Sequence, residues 1–343
     1  MVETDVIIFG KGIAGLTLSF LLTRNHIEHM IIDRSGERRA FGYGETLPPS
    51  ALPLLQRLDL LQLFEENSYR KTFGYHSCWG NDQVTNLNFY HHHPFKNGLK
   101  IDKQKILNAL QETSQPKIIP YDHSASISSE NTGAQSILLD EKIEVQGKLF
   151  VDATGRKRAL LKKFNIDSVA FDSLISFSCH LPKIKHPKLV HEVYVESFEQ
   201  GWGIVSALNE AQNVFSVFTN KGSEIHKQLG RYENWRSVLS NTKYLKDFLV
   251  DKIHPKVIGG NSNSSKPQRV TGKNWLALGD AAMSYDPLSS HGITNAVYTA
   301  MIATESIKQK LIDNDSNALK IYEDTINQIF DQYLSSKNQL YIS

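Results

Sequence analysis

The chain has 343 residues, a formal net charge of +2 at pH 7 and only two cysteines, Cys78 and Cys179, far apart in sequence. That length allows one large or two interlocked domains around a substantial core, while the near-neutral charge without a long basic block excludes nucleic acid as an expected partner. The cysteine usage excludes a disulfide scaffold, no apolar run is long enough to cross a bilayer, and the chain opens directly on a strand, so a soluble, cytoplasmic protein is expected.

The apolar run Val6-Ile7-Ile8-Phe9 leads straight into Gly10-Lys11-Gly12-Ile13-Ala14-Gly15, with helical spacing over 14–22 and the acid Asp33 closing the next apolar run. Gly10 permits a tight turn out of the strand, Gly12 lets backbone approach a pyrophosphate, and Gly15 lets the helix pack close to the sheet. The helix start at Ile13 and Ala14 offers free N–H groups and a positive dipole end to phosphates. Asp33, with Arg34 beside it, is placed to accept a hydrogen bond from a ribose hydroxyl. These features predict dinucleotide binding and leave open which dinucleotide.

Residues 34–53 are irregular and rich in Gly, Pro and Arg; 51–63 regain helical spacing through Leu54, Leu55, Leu58 and Leu61. Residues 75–79 and 84–89 read as a hairpin across Gly80-Asn81-Asp82, and 101–110 as a helix. A short strand at 148–152 ends in Asp152-Ala153-Thr154-Gly155. From 174 the texture changes. Strand-like runs at 174–181, 190–198, 202–208 and 214–219 follow one another without helices, which predicts an antiparallel sheet. Helical segments at 232–239 and 244–250, a polar connector at 259–265, a strand at 275–278 and helices from 293 onward complete the pass; no internal repeat is present. This order predicts a discontinuous dinucleotide domain (1–73, 96–165 and 266–310), a substrate domain (74–95 and 166–265) and a C-terminal helical segment (311–343).

The second informative segment is Gly279-Asp280-Ala281-Ala282, followed by Asp286-Pro287-Leu288-Ser289-Ser290-His291-Gly292-Ile293. Asp280, at a strand end, can accept a hydrogen bond from a sugar or ribityl hydroxyl. The loop at Pro287 then delivers Gly292 and Ile293 to a helix start, whose N–H groups suit an anion or the charge that a reduced flavin carries around N1 and O2.

Taken together, the glycine loop, Asp152-Ala153-Thr154-Gly155-Arg156 and the Gly279-to-Gly292 segment resemble the three fingerprints of the FAD-dependent aromatic-hydroxylase superfamily. The resemblance implies the p-hydroxybenzoate hydroxylase-like α/β fold. That fold has a glutathione-reductase-like FAD domain of the Rossmann type, an inserted antiparallel-sheet substrate domain and C-terminal helices. It also implies FAD as cofactor, with Gly155 among its contacts.

Gly44-Glu45-Thr46-Leu47-Pro48-Pro49-Ser50, Pro53-Leu54-Leu55, Trp79-Gly80 and Ile101-Asp102-Lys103 are similar to segments of flavin-dependent halogenases and of LodB/GoxB-like flavoproteins. The latter mature quinone cofactors from tryptophan side chains in partner amino-acid oxidases. By that resemblance Glu45 lies near the flavin ring, either as an active-site acid or base or as a structural carboxylate pairing with Arg38 or Arg39. Two departures matter. Gly201-Trp202-Gly203-Ile204-Val205-Ser206-Ala207 lacks the second Trp and the Pro of the halogenase pattern, which weighs against halogenation. Lys103 stands where many relatives have Arg, keeping the charge but losing the planar fork for a flavin or phosphate contact.

His291 could stabilise a reduced flavin, act as a base near neutral pH, or simply pack the loop. His91-His92-His93 read as a solvated loop, because successive side chains diverge, and no metal is expected. Trp202 is read as a substrate contact or as core, and Ile321, Ile326, Phe330 and Tyr333 as the face of a helix covering the FAD domain.

The expected function is therefore an FAD-dependent monooxygenase-type oxidoreductase that transfers oxygen to an electron-rich ring. Resemblance alone points to a tryptophan residue of a partner amino-acid oxidase. Alternatives are a small-molecule aromatic hydroxylase, an FAD-linked reductase, a halogenase or a non-catalytic, chaperone-like FAD module. No second Gly-x-Gly-x-x-Gly unit is present, so electrons are expected from transient NAD(P)H contact or another reductase. A monomer or weak oligomer is expected.

Overall fold

The computed structural model describes every residue except 1, 37–40, 82, 93, 131–132, 185–191, 252 and 343, and all their side chains except those of 91–92, 129–130, 133–135, 192 and 342. Val6, Ile7, Ile8 and Phe9 are buried because their strand, Val2–Phe9, runs through the middle of a seven-stranded sheet. It pairs in parallel with His29–Arg34 on one side and Ile143–Asp152 on the other. Lys117–Tyr121 extends the parallel set beyond His29–Arg34. Trp275–Ala277 adds in parallel to the C-terminal half of Ile143–Asp152, while Gly133–Leu139 and Ala125–Glu130 run antiparallel from its N-terminal half. Only that C-terminal half is buried on both faces, which explains why the apolar pattern predicted a strand limited to 148–152.

Two predicted helices begin or break elsewhere. Ile101 closes the strand Gly98–Ile101, and the helix is Lys103–Ser114, started by the Asp102 carboxylate accepting from the N–H groups of Gln104 and Lys105. The segment expected at 51–63 is two helices, Leu52–Arg57 and Leu61–Glu66, because Asp59 takes a left-handed conformation (φ 56°) between them.

The second sheet has seven strands in the order Ile258–Asn261, Leu174–Pro182, Gln212–Asn220, Gly201–Ala207, Glu192–Phe198, Gly74–Cys78 and Thr85–Asn88. The four consecutive runs predicted for this region are all strands where they are described, and so are both arms of the hairpin; residues 190–191 of the second run and Asp82 of the turn lie outside the described residues. The four runs pair antiparallel as expected, and Gly74–Cys78 joins Glu192–Phe198 in parallel. One expectation is corrected. The predicted connector contains an edge strand, since Gly259 and Gly260 pair through backbone alone and show no apolar alternation. The segment expected at 244–250 is helical only as the 3₁₀ turn Leu245–Phe248.

Alternation sets the two faces of this sheet. Cys179, Val205, Phe215 and Val217 point outward into a cluster with Trp235, Leu239, Leu245 and Phe248. Ser176, Trp202, Ile204, Ser206, Ser216 and Phe218 face the opposite way, onto a cavity.

The C-terminal helix Ala318–Ile342 buries Tyr322, Ile326 and Phe330 in the main core, and Tyr322 donates to the Ala277 carbonyl at 2.7 Å. Its last turn reaches the second sheet, where Trp79 Nε1 donates to the Leu340 carbonyl and Trp202 Nε1 to the Tyr341 hydroxyl. Cys78 and Cys179 are free, buried thiols, and burial pushes Cys179 up to about 12. Among the described residues no helix is long and apolar enough to cross a membrane, and no cluster of potential metal ligands is present. The side chains of His91 and His92, and all of His93, lie outside the described residues.

Asp152 is fully buried and points away from solvent. Its carboxylate accepts from Thr154 N and Oγ1 and from the N–H groups of Leu160 and Leu161, at 2.6–3.0 Å, so it starts the helix Ala159–Lys163. Asp152→Ala leaves those donors unpartnered, and urea denaturation should show a loss of about 2 kcal/mol.

Candidate functional site

All parallel strands of the first sheet end at one edge, and backbone bonds bind those ends together. Gly10 N donates to the Ile32 carbonyl at 2.8 Å, Ala153 N to Phe9 at 2.8 Å, and Leu278 N to Asp152 at 2.9 Å. The loops that leave the strands, at 10–14, 33–34, 153–156 and 278–280, therefore meet outside the carboxyl ends, where ligands of open α/β sheets bind. Between this edge and the inner face of the second sheet lies a cavity of about 740 Å³.

Every predicted site residue except Gly15 lines that cavity: Gly10, Gly12, Ile13, Ala14, Asp33, Arg34, Glu45, Lys103, Gly155, Asp280, Pro287, His291, Gly292 and Ile293. Gly15 serves the close packing expected of it. It lies underneath, where a Cβ would stand 2.0 Å from the Gly10 carbonyl oxygen, so it shapes the turn without facing a ligand. Gly12 is the opposite case: a Cβ there would meet nothing within 4 Å. The helix Ile13–Arg24 behind it has no side-chain cap and no acid in its first turn, which leaves its N–H groups aimed at open space. Asp33 stands 4.0 Å from Lys11 Nζ at this end of the cavity.

Charged groups gather elsewhere along the wall. Glu45 Oε1 lies 3.5 Å from Lys103 Nζ, so these two predicted residues pair with each other. Arg38 and Arg39, the partners expected for Glu45, lie outside the described residues. The Asp280 carboxylate faces the cavity with Arg156 Nε at 3.6 Å. Enclosure raises its pKa, and Arg156, Lys103 and Arg158 pull the other way. His291 is exposed, and its side chain does not cap the helix Gly292–Leu311, leaving that helix start open as well.

Several residues that the sequence reading did not assign hold this wall in place. Arg156 donates to the carbonyls of Asn263 and Tyr285. The buried Arg158 donates to the Ala281 and Ser265 carbonyls and to Ser265 Oγ. Asp286 is turned inward, accepting from Leu288 N at 2.9 Å and from the Tyr341 hydroxyl at 2.6 Å. Tyr43 lines the cavity from a loop held by Phe41, which stacks on His180 with ring centroids 4.0 Å apart. Arg156 closes the motif Asp152-Ala153-Thr154-Gly155-Arg156, which was the available signal; Arg158 and Tyr341 had none.

Comparison with known proteins matches residues 3–335 to the family described as "FAD binding domain". The chain belongs to that family. It is thus an FAD-dependent oxidoreductase of the monooxygenase type, as the three fingerprints implied. Among relatives, LodB of Marinomonas mediterranea, named an FAD-dependent oxidoreductase, is 24% identical over 99% of this chain and 93% of its own. A flavoprotein/dehydrogenase from Cytophaga hutchinsonii superposes with a TM-score of 0.83 at 17% identity, covering 99% of this chain and 86% of that one. The peptidyl tryptophan dihydroxylase QhpG, essential for tryptophylquinone cofactor biogenesis, superposes with a TM-score of 0.75 at 20% identity, covering 99% and 75%. Both likenesses show the α/β flavoprotein fold with its inserted sheet and C-terminal helices.

The cavity suits FAD on its own geometry, because the open space at Gly12, in front of an uncapped helix start, is the cradle a diphosphate requires. The backbone of 10–14 would hold the diphosphate, Asp33 a ribose, Asp280 the ribityl chain, and the N–H groups of Gly292 and Ile293 the polar edge of the flavin ring. Gly12→Ala tests this directly. Its backbone (φ −76°, ψ −177°) is one any residue adopts, so the apoprotein should keep its melting temperature. Because the new methyl occupies the cradle, FAD affinity, measured by fluorescence titration, should fall at least about tenfold, or about 1.4 kcal/mol.

Proposed function

We propose that this flavoenzyme adds oxygen to the indole ring of a tryptophan residue in a partner amino-acid oxidase, during maturation of that oxidase's quinone cofactor. The observation that carries the proposal is the wall opposite the FAD-binding edge, where Trp202, Ile204 and Phe218 present an apolar and aromatic face beside Glu45, Lys103 and His291. Likeness to LodB and to QhpG supports a peptidyl substrate.

Reduced FAD supplies the electrons with which oxygen is activated for transfer to an electron-rich ring. The chain's own part is positioning and exclusion of water. Trp202 is buried and stacked on Phe218 with centroids 3.9 Å apart, so this aromatic pair gives the wall a rigid backing against which a substrate ring would be oriented. Trp202, Ile204 and Phe218 form the apolar part of that wall, which would limit water near the reacting centre. The Glu45–Lys103 pair lines the same cavity and would anchor a polar group of the cofactor or substrate, and the open helix start at Gly292 favours negative charge.

The test is intact-mass analysis of a candidate amino-acid oxidase co-expressed with this protein. Added oxygen on a tryptophan, absent when the Gly12→Ala variant replaces the wild type, is the expected outcome. An unmodified oxidase in aerated, reducing medium, alongside hydroxylation of a free phenol by the same preparation, would move the assignment to a small-molecule hydroxylase. Flavin reduction without any oxygenated product would leave an FAD-linked reductase.

A further inference from the structure

Lys100 is 1% exposed, in the strand Gly98–Ile101 beneath the Gly44-Glu45-Thr46 loop. Its Nζ donates to Ser206 Oγ, and Ser206 Oγ in turn donates to the Gly44 carbonyl at 3.1 Å. Ser206 lines the cavity beside Ile204 and Trp202; Lys100 lies directly behind it. The charged groups facing Lys100 from neighbouring elements are cations: Arg70 on the paired strand Ser68–Thr72 and Lys183 beyond the strand Leu174–Pro182. Glu210 is taken up by Arg70 at 2.7 Å and Glu45 by Lys103, and no carboxylate pairs with Lys100 among the described residues.

An ammonium stripped of water and set between two other cations is a costly arrangement that a purely structural role does not require, since a methionine would fill the same space. We propose that Lys100 and Ser206 form a two-group proton relay opening into the cavity, in which Ser206 meets the substrate and Lys100, a positioning residue, stores the proton behind it. The relay rests on the oxygen-transfer reading above. When an aromatic carbon gains oxygen, its C–H bond breaks and the bonding pair returns to the ring. The proton goes to Ser206 Oγ, and the hydroxyl's own proton passes to the lone pair of neutral Lys100. Nothing is oxidised or reduced in that transfer; the electrons for oxygen activation come from the reduced FAD. The observed bonds, Lys100 to Ser206 to Gly44, are those of the proton-loaded state. Burial first, then Arg70 and Lys183, pull Lys100 down to about 7, so that the amine is available as a base near neutral pH.

Two measurements decide the matter. In the first, photoreduced, FAD-loaded protein is mixed with aerated buffer and the partner oxidase, and the single-turnover rate is followed against pH. The wild-type rate should rise through about pH 7 as Lys100 becomes neutral, whereas K100M should be flat and about a hundredfold slower at pH 8. K100R, always charged, should not restore the rise.

The second measurement is urea denaturation of wild type and K100M without turnover. Between about pH 7 and the ordinary lysine value of 10.5 the unfolded chain binds a proton that the folded chain has released, so wild-type stability climbs with pH. The stability advantage of K100M should therefore be largest at pH 6 and shrink by pH 9. A pH-independent difference, or a productive wild type whose pH profile survives in K100M and K100R, overturns the relay alone. A wild type that makes no product at any pH overturns the oxygen-transfer reading and the relay with it.

Discussion

The closest approach in the molecule's working edge is between Gly15 and the Gly10 carbonyl, where a Cβ would come within 2.0 Å of the oxygen. Because neither position carries a side chain, the first helix can start directly above the end of the first strand. A Cβ on Gly10 would itself lie 2.7 Å from the Ala153 carbonyl oxygen, so the loop after the strand Ile143–Asp152 is pressed onto the same turn. The helix start, the open space at Gly12 and the arrival of Ala153–Gly155 all follow from this one steric condition. The cofactor edge exists only while these backbones stay in contact.

Contact at that turn does not by itself hold the segment from Gly279 onward, which arrives more than a hundred residues later in the chain. Arginines do that work. Arg158, buried and pulled down to about 10 by desolvation, spends its guanidinium on backbone and hydroxyl groups of Ser265 and Ala281 rather than on a carboxylate. Arg156 adds Asn263 and Tyr285, with Asp280 as its ionic partner. A planar five-donor group suits this task, since one side chain can join several carbonyls in different loops at fixed angles.

The two sheets are coupled by the end of the C-terminal helix. Tyr341 donates to Asp286 in the loop before Gly292 and accepts from Trp202 on the second sheet. Tyr333 accepts from Asp286 N, and Lys337 pairs with Asp172. Any shift of the loop at 286–291 therefore pulls on the aromatic wall facing it. Covering the FAD-binding core, the role expected for this helix from Ile326 and Phe330, is only half of what it does.

Much of the site was legible because its signals are local. At Gly10 to Ala14 a strand end, a glycine turn and a helix start lie within ten residues of one another, so that loop was legible from spacing alone. The second sheet was legible because alternation records which face is buried, and it failed only where strands carry no apolar pattern, as at Gly259 and Gly260. What tertiary structure decided is the fate of charges and of groups whose partners are remote. Asp152, a strand-end acid like Asp280, is buried as a helix cap while Asp280 faces the cavity. Glu45 meets Lys103, and Lys100 is enclosed among cations behind Ser206. Backbone conformation depends on near neighbours in sequence. Solvation and ionic pairing depend on distance across the fold, and no spacing along the chain encodes that distance.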